Sequence, residues 1–304
     1  MTQAGTCEKR TFSNHPCFYG SARARHGRVH LPVALDCNIR CNFCNRLYDC
    51  ANESRPAVTR GVLEPDNVMP YLEFLLRRRS DISVIGIAGP GDSLCDPERT
   101  LKTLRAVHAA YPHLLICIST NGLNLTGHID DLADVGVTHV TVTVNAVDPL
   151  VGRHIYSHVT LNNHTYHGIE ASERLLSRQK EAIMELKAQN FVVKVNTVVI
   201  PGINIDHVED IAEEAANLGV DVMNCIPMIP VKGTLFEQLG SPTDREMNLI
   251  RDLASFYIPQ MYHCRKCRSD AAGLLCEDEL NLNKTTIRFA RVTKQASGFT
   301  GGIR

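Results

Sequence analysis

Apolar and polar positions follow two alternating regimes along the chain. Short β-branched runs, nearly continuous in hydrophobicity, occur at 29–35, 82–88, 114–119, 139–144, 191–200 and 220–226. Such runs predict parallel strands covered on both faces. Amphipathic segments at 67–79, 98–111, 129–135, 172–189 and 206–218 lie between them and predict helices. In the fourth, Leu175, Ala182, Ile183 and Leu186 share one face, and Asn190 is placed to end the helix. In the fifth, Ile211, Ala215 and Leu218 form the stripe, with Asp206 placed to cap the start and Gly219 to end it. A repeating strand-helix order predicts a parallel sheet with right-handed crossovers. Six units are too few for a complete eight-stranded barrel, so the expected fold is α/β, a partial, open (βα)6 TIM-like barrel.

Three stretches fall outside this rhythm. Neither the segment up to about residue 28 nor that beyond about residue 260 shows a clear period, and 148–168, rich in His, Tyr and Asn, reads as one long loop. The expected organisation is an N-terminal extension (1–28), a barrel core (29–258) and a C-terminal extension (259–304), ending in a glycine-rich tail at 297–302 read as a mobile end. There is no internal repeat.

Composition narrows the function. The 304 residues are 44% hydrophobic and 21% charged, an ordinary globular balance. With 32 Lys+Arg against 33 Asp+Glu and no basic block, the chain offers no electrostatic footprint for nucleic acid or an anionic membrane. No apolar run approaches the roughly 18 residues of a membrane span, and the first 30 residues are too polar for a secretory signal. A cytoplasmic location is expected. Thiols are kept reduced there, so twelve cysteines point to metal or cluster ligands rather than disulfides.

Chemistry concentrates in Cys37-Asn-Ile-Arg-Cys41-Asn-Phe-Cys44, directly after the first predicted strand. Three thiolates on one short loop suit three corners of a four-iron cluster and leave the fourth iron open. Zinc would need a fourth ligand, such as Cys50 or a histidine, and usually takes paired CxxC spacing. Polar and glycine residues gather where other strands should end: Gly89, Gly91 and Asp92; Thr120 and Asn121; Thr143 and Asn145; Asn196; and Ile226 before Pro227. Barrel chemistry sits at those ends, although Asn-Gly and Gly-Pro-Gly are, each alone, ordinary turns. Near the other end, Cys264-Arg-Lys-Cys267 sets two thiols on one side of a turn. Cys7, Cys95, Cys225 and Cys276 read as plain thiols.

The CxxxCxFC motif resembles that of the radical S-adenosylmethionine (SAM) enzymes. The resemblance implies a partial barrel and a cluster on Cys37, Cys41 and Cys44 whose open iron chelates SAM. It also implies that Gly89, Gly91, Asp92, Thr120, Asn121, Thr143, Asn145, Asn196 and Ile226 contact the cofactor. A longer pattern is similar to the branch of that family that builds the nitrogenase cofactor: His15-Pro-Cys17, 28–34, 37–46, 49–56, Gly89-Pro-Gly-Asp92, Cys117 with 119–122, 227–230 and 264–267. That likeness implies two further four-iron clusters, K1 on His30, Cys50 and Cys117, and K2 on Cys17, Cys264 and Cys267. The two would be fused with a SAM-derived carbide and a ninth sulfur, in an enzyme of lyase or transferase type. Glu53, beside Arg55, is expected in SAM binding or proton handling near K1. K2 is expected to tie both extensions over the barrel mouth. The implied partners are an electron donor such as a ferredoxin and downstream cofactor carriers. Ending at Arg304, the chain is similar to short members without a NifX-like domain. Two other readings stay open, a different radical SAM enzyme with auxiliary clusters and a non-enzymatic iron-sulfur carrier. No role is assigned to His154, His158, His164 and His167.

Overall fold

A computed structural model describes residues 12–56, 59 and 61–275. The expectations for Cys7, Cys276 and the 297–302 tail lie outside them. Six parallel strands form the sheet in chain order: β1 (Gly27–His30), β3 (Ile82–Ile87), β4 (Leu115–Thr120), β5 (Val137–Thr143), β8 (Val192–Val199) and β9 (Val222–Pro227). All six predicted strands are present, although β1 ends at His30, before the apolar run does. The intervening helices are α1 (Pro65–Leu76), α2 (Pro97–Ala110), α3 (Ile129–Asp134), α5 (Gly168–Ala188) and α6 (Val208–Asn217). Their apolar faces and the strands bury one core, with Val29, Leu72, Ile85, Leu104, Ile116, Val140, Val193 and Ala212 at its centre. Asn190 and Gly219 follow α5 and α6 with positive φ, as expected of helix-ending residues. Asp206 does not cap α6: it lies in a preceding 3-10 turn, and His207 holds the cap position.

The stretch 148–168 is not a loop. It contains a short helix, α4 (Pro149–Ile155), and a hairpin, β6 (Tyr156–Leu161) with β7 (His164–Tyr166). Asn162 and Asn163 make its turn, both at positive φ, which Asn tolerates and a two-residue hairpin requires. β6 also pairs antiparallel with β2 (Ile39–Cys41), inside the CxxxCxxC loop. One more helix, α7 (Asp244–Ala254), opens on a capping box between Thr243 and Glu246.

The described N-terminal segment, from Phe12, encloses the open barrel at its base, and the C-terminal segment, up to Leu275, runs along its open side and reaches the strand ends at the mouth, where Ser269 sits beside Gly89. Asn14 accepts from Ser83 at the start of β3, Phe12 packs on His139 near the start of β5, and Phe18 packs on Val222 at the start of β9. The N-terminal segment therefore plugs the base. The C-terminal segment first runs beside β9, where Met223 and 259–261 exchange backbone bonds. Lys266 then donates to the Pro227 carbonyl, and the chain returns as β10 (Ala272–Gly273), antiparallel to β1. A six-stranded open sheet has two edges of unpaired backbone groups, and this segment satisfies part of both.

Candidate active site

Strands buried on both faces are normally apolar throughout, and here the inward positions break that rule. Cys117 and Ser119 on β4, Thr141 on β5, Lys194 and Asn196 on β8, and Asn224 and Ile226 on β9 recur every second residue and line an internal chamber. Their outward neighbours Ile116, Ile118, Val140, Val142, Val193 and Val195 belong to the core. The chamber encloses about 650 Å³ of space, part of it open to solvent. His15, Cys17 and Phe18 line it from the N-terminal segment, His30 from β1, Glu53 and Ser54 from the loop after β2, and Cys264 to Cys267 from the C-terminal segment.

Cys37, Cys41 and Cys44 lie on one loop near the ends of the parallel strands. Phe43, fully buried, anchors it with Ile39, Tyr156, Val159 and Val198 in a separate apolar cluster. That is a packing reason for an aromatic residue in the motif. Gly91 lets the loop after β3 close on this segment: a Cβ there would lie 2.1 Å from the Asp36 carbonyl oxygen. Gly91 and Asp92 donate backbone N–H to Ala34 and Asp36 at 2.7 Å. The glycine-rich segment thus buttresses the cysteine loop. Burial raises Cys37 and Cys41 well above the ordinary thiol value, and the charges of Asp92 and Cys50 on the first and of Cys44 and Cys50 on the second add to it. Every described cysteine is unpaired. Three unpaired, buried thiols crowded on one loop suit the role of ligands to a cationic iron cluster.

The expected cofactor-contact residues are wired to one another. The buried Asp92 carboxylate accepts from Asn121 N–H (2.6 Å), Leu94 N–H (2.9 Å) and Thr120 Oγ1 (3.0 Å), joining the ends of β3 and β4. Asn121 Nδ2 donates to Asn38 Oδ1 at 2.7 Å and reaches Cys37 Sγ at 3.8 Å. Asn145 Nδ2 donates to Asn52 Oδ1 (3.0 Å), and Asn52 Nδ2 lies 3.6 Å from both Cys41 Sγ and Cys50 Sγ. The Glu53 carboxylate accepts from the Thr143 hydroxyl and from Asn196 Nδ2 (3.0 Å). Burial holds that carboxyl above its usual value, against the opposing pull of these bonds and of Lys194.

Of the remaining expected ligands, five meet at the chamber: Cys17, His30, Cys117, Cys264 and Cys267. Burial raises Cys17, with the thiols of Cys267 and Cys264 adding their charge and Lys194 opposing. Cys117 is pushed up to about 12 by burial, with the Cys17 thiol adding to it and Lys194 opposing. Cys50 is placed apart, sharing the Asn52 amide with Cys41 and not lining the chamber. His30 Nδ1 is 3.2 Å from the Arg268 carbonyl, which marks that nitrogen as the donor and leaves Nε2 a lone pair. Burial and the Arg28 charge lower His30 to about 4, so it is neutral at physiological pH. Gly86 and Lys194 were not singled out from the sequence, and His15 and Arg28 entered only as part of the longer pattern, without a role. Arg28 Nη2 donates to Cys267 Sγ at 2.8 Å, while Nη1 holds the Gly273 carbonyl at 2.5 Å. A charged residue within an apolar run, Lys194 in Val-Val-Lys-Val-Asn, was the available signal.

Other candidates stand apart. Cys225 is buried and donates to Gln260, and Cys95 is half-buried, its backbone N–H donating to the Asp92 carbonyl. His154, His158, His164 and His167 lie around the outer hairpin, away from the chamber. Among the described residues no three His, Cys, Asp or Glu side chains converge tightly enough for a single metal ion. Thiols on separate corners of a cluster need not converge so closely. Among the same residues no helix is long and apolar enough to cross a membrane.

Comparisons with known proteins bear on this arrangement. Residues 31–215 match the Radical SAM superfamily. The chain is 44% identical over 264 residues to the FeMo cofactor biosynthesis protein NifB of Chlorobaculum tepidum, covering 87% of this chain and 62% of that one. It is 43% identical over 268 residues to the NifB protein of Methanocaldococcus infernus, covering 88% and 87%. Against most longer relatives it spans little more than half their length, 54% for that of Bradyrhizobium diazoefficiens. Among solved structures, Streptococcus suis SuiB bound to S-adenosylmethionine superposes with a TM-score of 0.56 at 11% identity, covering 77% of this chain and 49% of that one, a likeness of fold.

Proposed function

We infer function from one premise: the chain belongs to the Radical SAM superfamily and, within it, to the NifB family. On that reading it is an enzyme of nitrogenase cofactor biosynthesis. It fuses two four-iron substrates, K1 and K2, inserts a SAM-derived carbide and adds a ninth sulfur, giving the eight-iron precursor. The observation that carries this reading is the meeting of Cys17, His30, Cys117, Cys264 and Cys267 on one internal chamber. A radical SAM enzyme with only its resident cluster has no use for five more such ligands there.

Cys37, Cys41 and Cys44 would hold the resident cluster. Loaded, it supplies reductive cleavage of one SAM to methionine and a 5′-deoxyadenosyl radical, a second SAM being the methyl donor. Cys17, Cys264 and Cys267 would hold K2, and His30 and Cys117, joined by Cys50, would hold K1. The lone pair of neutral His30 is a weaker tether than a thiolate, which suits a substrate that must be moved. Glu53, buried and raised, sits between Cys50 and the chamber, where it can take or give a proton. The Asn52-Asn145-Asn196-Asn224 network keeps this wall polar and in place. The plugged base and covered side keep water from a radical reaction. A reduced ferredoxin-type donor and a cofactor carrier would serve as partners.

The test uses anaerobically reconstituted, reduced protein and SAM labelled in its methyl carbon. It should yield 5′-deoxyadenosine and S-adenosylhomocysteine and deposit label in an iron-sulfur product. Cys264→Ala should abolish product and retain the signal of the SAM cluster. Formation of 5′-deoxyadenosine without label transfer would leave a different radical SAM enzyme as the better reading, and absence of both a non-enzymatic carrier.

A further inference from the structure

The base of the chamber holds an ammonium that no carboxylate of the described residues meets in an ion pair, Glu53 acting on it only across the chamber. Lys194 is the third residue of β8, between Thr141 and Val222 on the neighbouring strands, and is 6% exposed. Its ammonium faces the Phe18 ring, 4.9 Å from the centroid, and among the described residues it makes no ion pair and no hydrogen bond. An ammonium taken out of water without a partner is costly, and an aliphatic side chain would suit this position better if packing were all it served.

His15 adds a second donor with no acceptor. The Cys17 backbone N–H donates to His15 Nδ1 at 3.2 Å, which places the ring hydrogen on Nε2. That Nε2 is buried and has no partner. Both side chains line the chamber together with Cys17, Cys264 and Cys267. Of the same thiols, Cys267 already accepts a hydrogen bond from Arg28. An ammonium on the chamber wall and a buried ring donor without an acceptor, lining the same chamber as three thiols, suit an anion that carries sulfur.

We propose that Lys194 and His15 form a donor pair that recognises the iron-sulfur cluster substrate held by Cys17, Cys264 and Cys267, through hydrogen bonds to its sulfur atoms. The inference rests on the functional reading above and deepens it. A four-iron cluster with three thiolate ligands is an anion, and its sulfides and thiolates accept hydrogen bonds. Lys194 balances that charge and favours the reduced state. His15, its ring fixed by the Cys17 backbone and by the Phe18 and His139 rings, orients the cluster. Both are positioning residues: neither is a ligand, and neither transfers a group.

The test compares full-length wild type with Lys194→Met, Lys194→Arg, His15→Phe and Cys17→Ala, each reconstituted anaerobically with iron and sulfide. Iron per chain, an EPR-monitored redox titration and the rate of iron loss to a chelator are read. The cluster signal that Cys17→Ala removes should shift to more negative potential in Lys194→Met and His15→Phe. Its iron should be lost several-fold faster, with the remaining signals unmoved. Lys194→Arg should stay close to wild type. Unchanged thermal melting separates these effects from loss of fold, and Lys194→Gln carries the same expectation should the methionine variant not fold. The same potential and the same release rate in both variants would overturn the proposal and leave the functional reading standing. If Cys17→Ala removes no cluster signal, both fall.

Discussion

Gly86 has no room for a methyl group. A Cβ on this residue would lie 2.8 Å from Cys117 Sγ and 3.6 Å from His30 Cδ2. The bare backbone of β3 is thus what lets a thiol from β4 and an imidazole from β1 sit side by side across it. Gly86→Ala should expel one of them, so that reconstituted iron falls by one cluster per chain while melting of the apoprotein changes little. An unchanged iron content would show that the pair adjusts without loss. His139 makes a prediction of a different kind. Burial, with the Lys194 charge adding to it, lowers its pKa from 6.5 to about 3, and its Nε2 has no partner. The unfolded chain therefore takes up a proton near pH 6.5 that the folded chain refuses until near pH 3. Stability from neutral His139 is whole above pH 6.5 and is lost as pH falls through that interval, by about 2 kcal/mol between pH 6.5 and 5. His139→Leu should flatten the acid limb of the stability curve by that amount, and parallel curves for the two proteins would refute the assignment.

At the scale of elements, one arginine fastens the C-terminal segment. Arg28 on β1 binds the carbonyls of Gly273 and Leu274 and the thiol of Cys267, so β10 and the CxxC turn depend on the same guanidinium. Arg28→Met should leave the six parallel strands intact and expose the segment after Met261 to limited proteolysis. Resistance equal to wild type would mean that the backbone pairing of β10 suffices alone. Such edge contacts explain which elements were legible in the sequence. The six parallel strands and five of the helices announce themselves through side chains, as β-branched runs and apolar stripes. β10 and the 259–261 pairing are made by backbone groups, which leave no side-chain pattern. The β6 and β7 hairpin was hidden by its polar outer face and by an Asn162-Asn163 turn that lacks glycine. In α7 the Thr243-x-x-Glu246 box was readable and the stripe short, with Met247, Ile250 and Ala254 its only buried residues.

For the whole molecule, the chamber exists because three remote parts of the chain converge: the plug around Cys17, the strands bearing His30 and Cys117, and the cover bearing Cys264 and Cys267. The cysteine spacing disclosed the local triad at 37–44, since those ligands are neighbours in sequence. The Lys194 and His15 donors were not disclosed, because their lack of partners is a property of the folded interior alone. Ligands gathered from such distances do not form a site in the unfolded chain, so cluster binding free energy is also folding free energy. A cluster bound 100- to 1,000-fold above its dissociation constant adds about 3 to 4 kcal/mol, which for a chain of this size raises the melting temperature by several degrees. Anaerobic reconstitution should therefore raise the melting temperature of the apoprotein and protect 259–275 from protease. In the Cys264→Ala/Cys267→Ala double variant the protection should vanish, while the part of the thermal gain due to the 37–44 cluster remains. Equal protection in the double variant would mean that the cover is closed by its own contacts with β9 and β1, and that the clusters occupy a chamber already complete without them.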